Sequence, residues 1–147
     1  MNGGKKKVLV VEDDVNLRSI ASLILRGRGF EVLEAGDGQD ALQLVDMADI
    51  VLLDLFLPHM TGEEFLETIR GKGNYVPVVV MSAGYGREAG AERLKEYGIV
   101  EFVPKPFPIN EMAEKIAKAA RVADDMESVH RATDSLKGFI ERQTAKE

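Results

Sequence analysis

Five short apolar runs recur along the chain, and the segments between them carry apolar residues at helical spacing. The runs lie at residues 8–11, 30–35, 49–54, 76–81 and 100–103. They are too short for buried helices and rich in β-branched residues, which is typical of strands buried on both faces of a parallel sheet. Strands that alternate with helices through short connections predict a doubly wound α/β domain. For five parallel strands we expect the flavodoxin-like order 2-1-3-4-5, followed by a C-terminal helical extension.

Local signals locate the helices between these strands. Asp14 precedes the first helix and is its expected N-cap, while Thr61 and Glu64 have the spacing of a capping box. A weaker helix is predicted over residues 87–97, because Gly90 inside it costs ~1 kcal/mol relative to Ala. The apolar residues that recur at helical spacing in the first helix are Val15, Leu17, Ile20, Ala21, Ile24 and Leu25.

Composition then narrows the classes of function. The chain has 147 residues, of which 45% are hydrophobic and 30% charged, as in a folded domain with a small appendage. It contains no Cys, which excludes disulfides and thiolate chemistry and favours a reducing cytoplasm. The net charge of −6 argues against direct nucleic-acid binding. The apolar runs are far shorter than a membrane span, so we expect a cytoplasmic protein.

Charged and polar residues follow the predicted strands at their carboxyl ends. Glu12 and Asp13 follow the first strand, Asp54 ends the third, Ser82 follows the fourth and Lys105 the fifth. In an open parallel sheet these ends form the functional crevice, so carboxylates of two neighbouring strands are expected to meet there. Oxygen ligands of this kind suit Mg²⁺. With Mg²⁺ in place, Asp54 could attack a phosphoryl group, while Ser82 and Lys105 contact its oxygens.

Four sequence motifs together resemble one family over about residues 6–120. VLVVEDD, IVLLDLFLP, MSAG and VPKPF are similar to the motifs of receiver domains in two-component response regulators. The resemblance implies that Asp54 is the phosphoacceptor and that Glu12 and Asp13 are the acidic pair, with Asp13 the direct Mg²⁺ ligand. It also implies that the backbone carbonyl of Phe56 contacts the metal.

The same resemblance assigns the remaining site residues. Ser82 matches the hydroxyl position, Lys105 the conserved lysine of the family, and Phe102 the switch aromatic. The Lys105–Pro106 peptide bond is expected to be cis. In this family the residues two positions after the phosphoacceptor and after the hydroxyl residue flank the approach of water. These are Phe56 and Gly84, neither of which can orient a water molecule, so we expect slow self-dephosphorylation.

These features predict a single-domain response regulator and phosphoprotein that takes its phosphoryl group from a sensor histidine kinase. We expect no enzyme activity other than its own phosphorylation and dephosphorylation. The modification would change the surface made by the predicted 87–97 helix, the fifth strand and the last helix, and so alter contact with an unknown downstream protein. Two alternatives use the same residues: a phosphorelay intermediate that passes the group to a histidine phosphotransfer protein, and the receiver portion of a regulator whose output domain is absent here.

Other proteins with related folds or chemistry fit less well. A flavin-binding flavodoxin needs a phosphate-binding loop after the first strand, where Glu12 and Asp13 would repel phosphate. The nearest glycine pattern, Gly84-x-Gly86-x-x-x-Gly90, is one residue too long for a dinucleotide fingerprint and follows the wrong strand. A phosphatase of the haloacid dehalogenase type needs an Asp two residues after its nucleophile, where this chain has Phe56.

The two histidines and the C-terminal tail give little further evidence of function. His59 is expected to be a surface residue, and a phosphotransfer role for His130 has weak support because it is a single His on a predicted helix. We divide the chain into a receiver domain, 1–121, and a helical tail, 122–147. The tail could fold back on the domain, form a homodimer or link to an output domain. Its heptad-like stripe consists of Val122, Met126, Val129, Thr133, Leu136 and Ile140.

Overall fold

A five-stranded parallel sheet forms the centre of the protein. The structure, a computed structural model, describes residues 4–83, 94–99, 101–105 and 108–145. The spatial order is β2-β1-β3-β4-β5, and every neighbouring pair is parallel. The predicted fold class and strand order are therefore confirmed. The strands are β1 (Lys7–Val11), β2 (Glu31–Ala35), β3 (Ile50–Asp54), β4 (Val78–Ala83) and β5 (Glu101–Lys105).

Four α-helices are described around the sheet. Asp14 caps the first of them, since its side chain accepts a hydrogen bond from the backbone N–H of Leu17, as predicted. Thr61 caps the third by accepting from the N–H of Glu64. The helices are α1 (Val15–Gly27), α2 (Gly38–Leu44, followed by a 3₁₀ turn at Val45–Met47), α3 (Gly62–Gly71) and α4 (Ile109–Ala145).

The core has one layer on each face of the sheet. Phe65, Leu66 and Ile69 of α3 pack on one face together with residues of α2. On the other face, α1 contributes Ala21 and Leu25, and α4 contributes its own apolar residues. Alternate residues of the same strands serve the two layers, which explains why the central strands are apolar without interruption. The residues of α4 in its layer are Met112, Ile116 and Ala119.

Some element boundaries and burial predictions differ from the structure. β4 and β5 each end two residues later than predicted, so Ser82 and Lys105 belong to strands rather than to the loops after them. Val15 and Ile20, two of the apolar residues at helical spacing in the first helix, are 62% and 49% exposed. Only a narrow stripe of α1, which includes Ala21, reaches the sheet.

The C-terminal helix α4 runs without a break past residue 122, and the boundary that we place there stays a prediction. No turn interrupts the helix between Ile109 and Ala145. Most of the helix predicted at 87–97, and Pro106 with its expected cis bond, lie outside the described residues. No helix within the described ranges has the length and apolar content needed to cross a membrane.

Candidate functional site

Three carboxylates meet at the carboxyl ends of two neighbouring strands. Val11 pairs with Leu53 in the β1–β3 register, so Glu12 and Asp54 follow at the same level of the sheet. Carboxylate oxygens of Glu12, Asp13 and Asp54 all lie within 4.8 Å of one another. Glu12 and Asp54 are buried, with 1% and 4% of their surface exposed, whereas Asp13 is exposed. The predicted acidic cluster therefore exists, with one carboxylate open to solvent.

The backbone around Glu12 is fixed by its neighbours. Its N–H donates to the carbonyl of Ala35 at 3.1 Å, which extends the β1–β2 pairing by one residue. Its carbonyl accepts from Nη1 of Arg18 at 2.7 Å, and its Oε2 accepts from the N–H of Asp14 at 3.1 Å. Arg18 was not among the predicted site residues, because nothing in its spacing indicates that an α1 side chain reaches back to this turn.

Lys105 joins the two buried carboxylates. Its Nζ donates to Oδ2 of Asp54 at 2.9 Å and also to Oε1 of Glu12. Lys105 is the last residue of β5, at the edge of the sheet, and its long side chain crosses the end of β4 to reach them. The structure thus brings together four of the predicted residues: Glu12, Asp13, Asp54 and Lys105.

The charges of this cluster are unbalanced. Burial, helped by the charge of Asp54, raises the pKa of Glu12 to about 7, despite the opposing hydrogen bonds from Lys105 and from the N–H of Asp14. Burial alone would lower the pKa of Lys105, but its hydrogen bonds to Glu12 and Asp54 and their charges raise it. Among the described residues, Lys105 therefore pairs with two of the three carboxylates, and an additional cation would be stabilised beside them.

The donor set fits Mg²⁺. Oxygens on opposite sides of an octahedral Mg²⁺ are ~4 Å apart, since each Mg–O bond is roughly 2.0–2.1 Å. The oxygens of Glu12, Asp13 and Asp54 occupy a region of similar size. Asp13 is the carboxylate that solvent can reach, and Lys105 hydrogen-bonds the other two. These contacts agree with Asp13 as a direct ligand, and its assignment stays a prediction.

The loop after β3 orients Asp54. The N–H of Phe56 donates to Oδ1 of Asp54 at 3.0 Å, while the Phe56 side chain is 57% exposed. The N–H of Gly62 donates to the carbonyl of Leu55 at 2.9 Å. A Cβ at Gly62 would lie 2.7 Å from Cα of Leu55 and 2.8 Å from the carbonyl oxygen of Asp54. Only glycine permits this approach, so Gly62 belongs to the support of the site.

The structure describes the remaining predicted residues, Ser82, Gly84, Phe102 and Phe56, to different extents. The backbone of Ser82 pairs with Pro104 near the end of β4, but its side chain lies outside the described part of the structure, as does Gly84. Phe102 packs partly buried against the core, and its carbonyl accepts from Nζ of Lys115 at 2.6 Å. Contact of the Phe56 carbonyl with a metal stays a prediction.

Neither histidine belongs to the acidic cluster formed by the described residues. His59 is exposed, as predicted, but its φ of 67° was not foreseen, because the sequence gives no sign of a left-handed residue there other than the neighbouring Pro58. Non-glycine residues seldom adopt that conformation. The side chain of His130 is not described, although its backbone is part of α4.

The comparisons with known proteins agree on one family. The sequence profile of the response regulator receiver domain matches residues 8–117. The DNA-binding response regulator MtrA of Mycobacterium tuberculosis is 33% identical over 134 residues, which cover 85% of this chain and 55% of MtrA. The chain thus spans about half the length of the curated relatives it matches.

Solved structures show the same similarity. The receiver domain of a putative LuxO repressor protein from Vibrio parahaemolyticus superposes with a TM-score of 0.80 at 25% identity, covering 86% of this chain and 98% of that one. The chemotaxis response regulator CheY4 of Vibrio cholerae gives a TM-score of 0.72 at 28% identity, covering 79% and 99%. The profile match, the relatives and the arrangement of Glu12, Asp54 and Lys105 lead to one conclusion: this chain belongs to the response regulator receiver domain family of two-component systems.

Proposed function

We propose that Asp54 accepts a phosphoryl group from a sensor histidine kinase and that the chain works as a single-domain response regulator. The observation that carries this proposal is the pairing of a buried Asp54 with Lys105, beside the carboxylates of Glu12 and Asp13. Receiver domains are phosphorylated by sensor histidine kinases, and they generally bind Mg²⁺ at an acidic pocket.

The chemistry is a displacement at phosphorus. A carboxylate oxygen of Asp54 forms a bond to phosphorus as the bond between phosphorus and the donor histidine nitrogen breaks, and the product is an acyl phosphate. The hydrogen bonds from Lys105 and from the N–H of Phe56 fix the carboxylate for this attack. Lys105 also supplies an ammonium group for the phosphoryl oxygens.

Magnesium would be held by Glu12, Asp13, Asp54 and the carbonyl of Phe56. When bound, the ion supplies positive charge that offsets the charge of the phosphoryl oxygens and of the carboxylates. The cluster supports this assignment because Lys105 pairs with Glu12 and Asp54 in the part of the chain that the structure describes, which leaves three clustered carboxylates beside one ammonium group.

We expect β5 to transmit a structural change from Asp54 to the protein surface. Phosphoryl oxygens on Asp54 would attract Lys105 away from its present contacts, and Lys105 is the last residue of β5. Within the same strand, the carbonyl of Phe102 is bound by Lys115 of α4, and Lys115 is also 3.7 Å from Glu101. Ser82 of β4 would move towards the phosphoryl oxygens, and Phe102 of β5 would turn into the space that Ser82 leaves. The exposed surface of β5 and α4 is therefore where a downstream protein would detect the change.

The first experiment identifies the phosphoacceptor. Acetyl phosphate and Mg²⁺ should add one phosphoryl group to the wild-type chain and none to Asp54→Asn, as read by intact mass. Asp49→Asn is the matched control, because Asp49 precedes the same strand at its opposite end and is exposed. Phosphorylation that persists in Asp54→Asn, or is lost in Asp49→Asn, would contradict the proposal.

A second experiment tests the metal ligand. We expect Asp13→Asn to weaken Mg²⁺ binding at least tenfold in calorimetry, because a carboxylate is a far better ligand for Mg²⁺ than an amide. Asp14→Asn makes the same charge change at the next residue, and Asn caps a helix as well as Asp does. Equal Mg²⁺ affinity in the two variants would refute the role of Asp13.

Output through protein contact is part of the proposal. Within the described part of the chain, the residues after the family match continue as the helix α4. MtrA is a DNA-binding response regulator, and the match covers 55% of its length. Affinity capture with phosphorylated and unphosphorylated chain would test this. A partner held only by the phosphorylated form supports a single-domain regulator, and phosphoryl transfer to a histidine phosphotransfer protein would instead indicate a relay intermediate.

A further inference from the structure

The C-terminal helix α4 extends beyond the domain on which it packs. It has 37 residues and a length of roughly 55 Å. Among the side chains of α4 that the structure describes, those of Met112, Ala113, Ile116 and Ala119 are buried, and these four lie in its first third. An ion pair between Lys6 and Asp124 follows near the middle of the helix.

The second part of α4 carries an apolar stripe, defined here as Val122, Met126, Val129, Thr133, Leu136 and Ile140. Its members are separated alternately by four and three residues, which is the 3.5-residue period of a left-handed coiled coil. The two members whose side chains are described, Leu136 and Ile140, are 60% and 54% exposed. Removing the apolar surface of Leu136 and Ile140 from water would be favourable.

The stripe does not continue the face of α4 that packs on the domain. At 100° per residue, the centre of the apolar stripe is rotated by about 110° from the centre of the four buried residues. On a straight helix, Leu136 and Ile140 therefore lie on a different side of α4 from these buried residues. A partner that covers the stripe must present a matching 3.5-residue period.

We infer that a second copy of this chain covers the stripe and forms a parallel, in-register, two-stranded coiled coil. A copy of the same helix has the required period by definition, and a two-fold axis pairs each stripe residue with itself. Val122, Val129 and Leu136 then occupy d positions, and Met126, Thr133 and Ile140 occupy a positions.

Charge at the flanking positions supports this arrangement. In a parallel dimer each g residue faces the e residue five positions later in the other chain. No such pair brings like charges together, and one of them places Asp125 opposite the imidazole of a histidine. The g residues are Asp125, Ala132 and Phe139, and they face His130, Lys137 and Thr144 in that order.

The dimer is expected to be weak and dependent on concentration. The stripe covers about three heptads, near the minimum for a stable coiled coil, and Thr133 places a polar group in its centre. Gly138 within the helix costs ~1 kcal/mol relative to Ala. An isolated helix of this composition is marginal in water, so association stabilises the helix as well as the dimer.

Sedimentation velocity on the full unphosphorylated chain without Mg²⁺ tests the inference. The wild-type mass should rise with concentration from 16.2 kDa towards twice that value. Leu136→Glu should remain monomeric, whereas Ser135→Glu, which introduces the same charge one residue away from the stripe, should dimerise like the wild type. A monomeric wild type, or a Leu136→Glu variant that still dimerises, would overturn the inference. Phosphorylation of Asp54 is measured separately and does not depend on this outcome.

Disulfide trapping tests the orientation, since the natural chain has no Cys. Leu136→Cys should form a symmetric disulfide dimer under mild oxidation, because d residues of the same number face each other. A mixture of Val122→Cys and Ile140→Cys chains should give no disulfide between the two kinds of chain, since these positions are ~27 Å apart along a parallel coil. Efficient cross-linking of that mixture would show an antiparallel pair and contradict the parallel arrangement.

Discussion

Glu12 is the residue whose properties depend most on the fold around it. Its buried carboxylate has a pKa raised to about 7, whereas the ordinary value is 4.5. Between these two pH values the folded chain holds a proton that the unfolded chain has released. Stability of the metal-free protein should therefore fall as pH rises from about 4.5 to about 7, and the loss is complete above that range.

Glu12→Gln cannot titrate and should lack this pH dependence. At pH 8 without Mg²⁺ we expect it to be more stable than the wild type by on the order of 2 kcal/mol, measured by urea unfolding. Asp14→Asn, a change at an exposed carboxylate two residues away, should retain the wild-type dependence. Parallel stability curves for the wild type and Glu12→Gln would show that Glu12 does not titrate in this range.

Phe56 bears on the lifetime of the phosphorylated state. Its exposed ring offers no hydrogen-bond acceptor that could orient a water molecule towards phosphorus. Phe56→Asn should therefore lose its phosphoryl group faster than the wild type, by about tenfold, because its amide can hold such a water. Leucine in Phe56→Leu is smaller than phenylalanine and also has no hydrogen-bond acceptor. This variant should therefore lose its phosphoryl group as slowly as the wild type. A fast Phe56→Leu variant would mean that steric access, rather than orientation of water, sets the lifetime.

At the scale of elements, α3 is held unusually close to the end of β3. The approach depends on Gly62, where a Cβ would contact backbone atoms of Leu55 and Asp54 that cannot move independently of the strand. Gly71 ends the same helix, and a Cβ there meets nothing within 4 Å.

Alanine at these two glycines should have opposite effects. Gly62→Ala should lower the free energy of unfolding by about 2 kcal/mol or more and slow phosphorylation, because the displaced loop carries the N–H that orients Asp54. Gly71→Ala should leave phosphorylation unchanged and stabilise the chain by up to ~1 kcal/mol. Urea unfolding and intact mass measure both effects, and a Gly62→Ala variant as stable and as reactive as Gly71→Ala would contradict this account.

At the scale of the whole molecule, apolar patterning was sufficient to predict the sheet. The runs 8–11 and 50–53 are buried on both faces of the sheet, and this burial explains why they are apolar at every position. The sequence also predicted the clustering of Glu12 with Asp54, because the carboxyl ends of parallel strands lie at the same edge of the sheet.

The contacts that complete the site were not predictable in the same way. The hydrogen bonds of Lys105 to Glu12 and Asp54 span 93 and 51 residues of sequence, and they depend on how far a side chain reaches across the sheet. The close approach at Gly62 and the left-handed backbone of His59 are properties of a three-dimensional loop. Exposure of Val15 and Ile20 on α1 shows that helical spacing alone overestimates the buried face.

Mapping the modified residue tests the central claim most directly. The wild-type chain would be treated with acetyl phosphate in the presence of Mg²⁺ or of EDTA, reduced with borohydride, and analysed by peptide mass spectrometry. Borohydride converts an aspartyl phosphate to homoserine, which marks the acceptor. We predict homoserine at residue 54, and only in the sample that contained Mg²⁺. Homoserine at another aspartate, or equal conversion of Asp54 in EDTA, would contradict a magnesium-dependent phosphoacceptor built from Glu12, Asp13, Asp54 and Lys105.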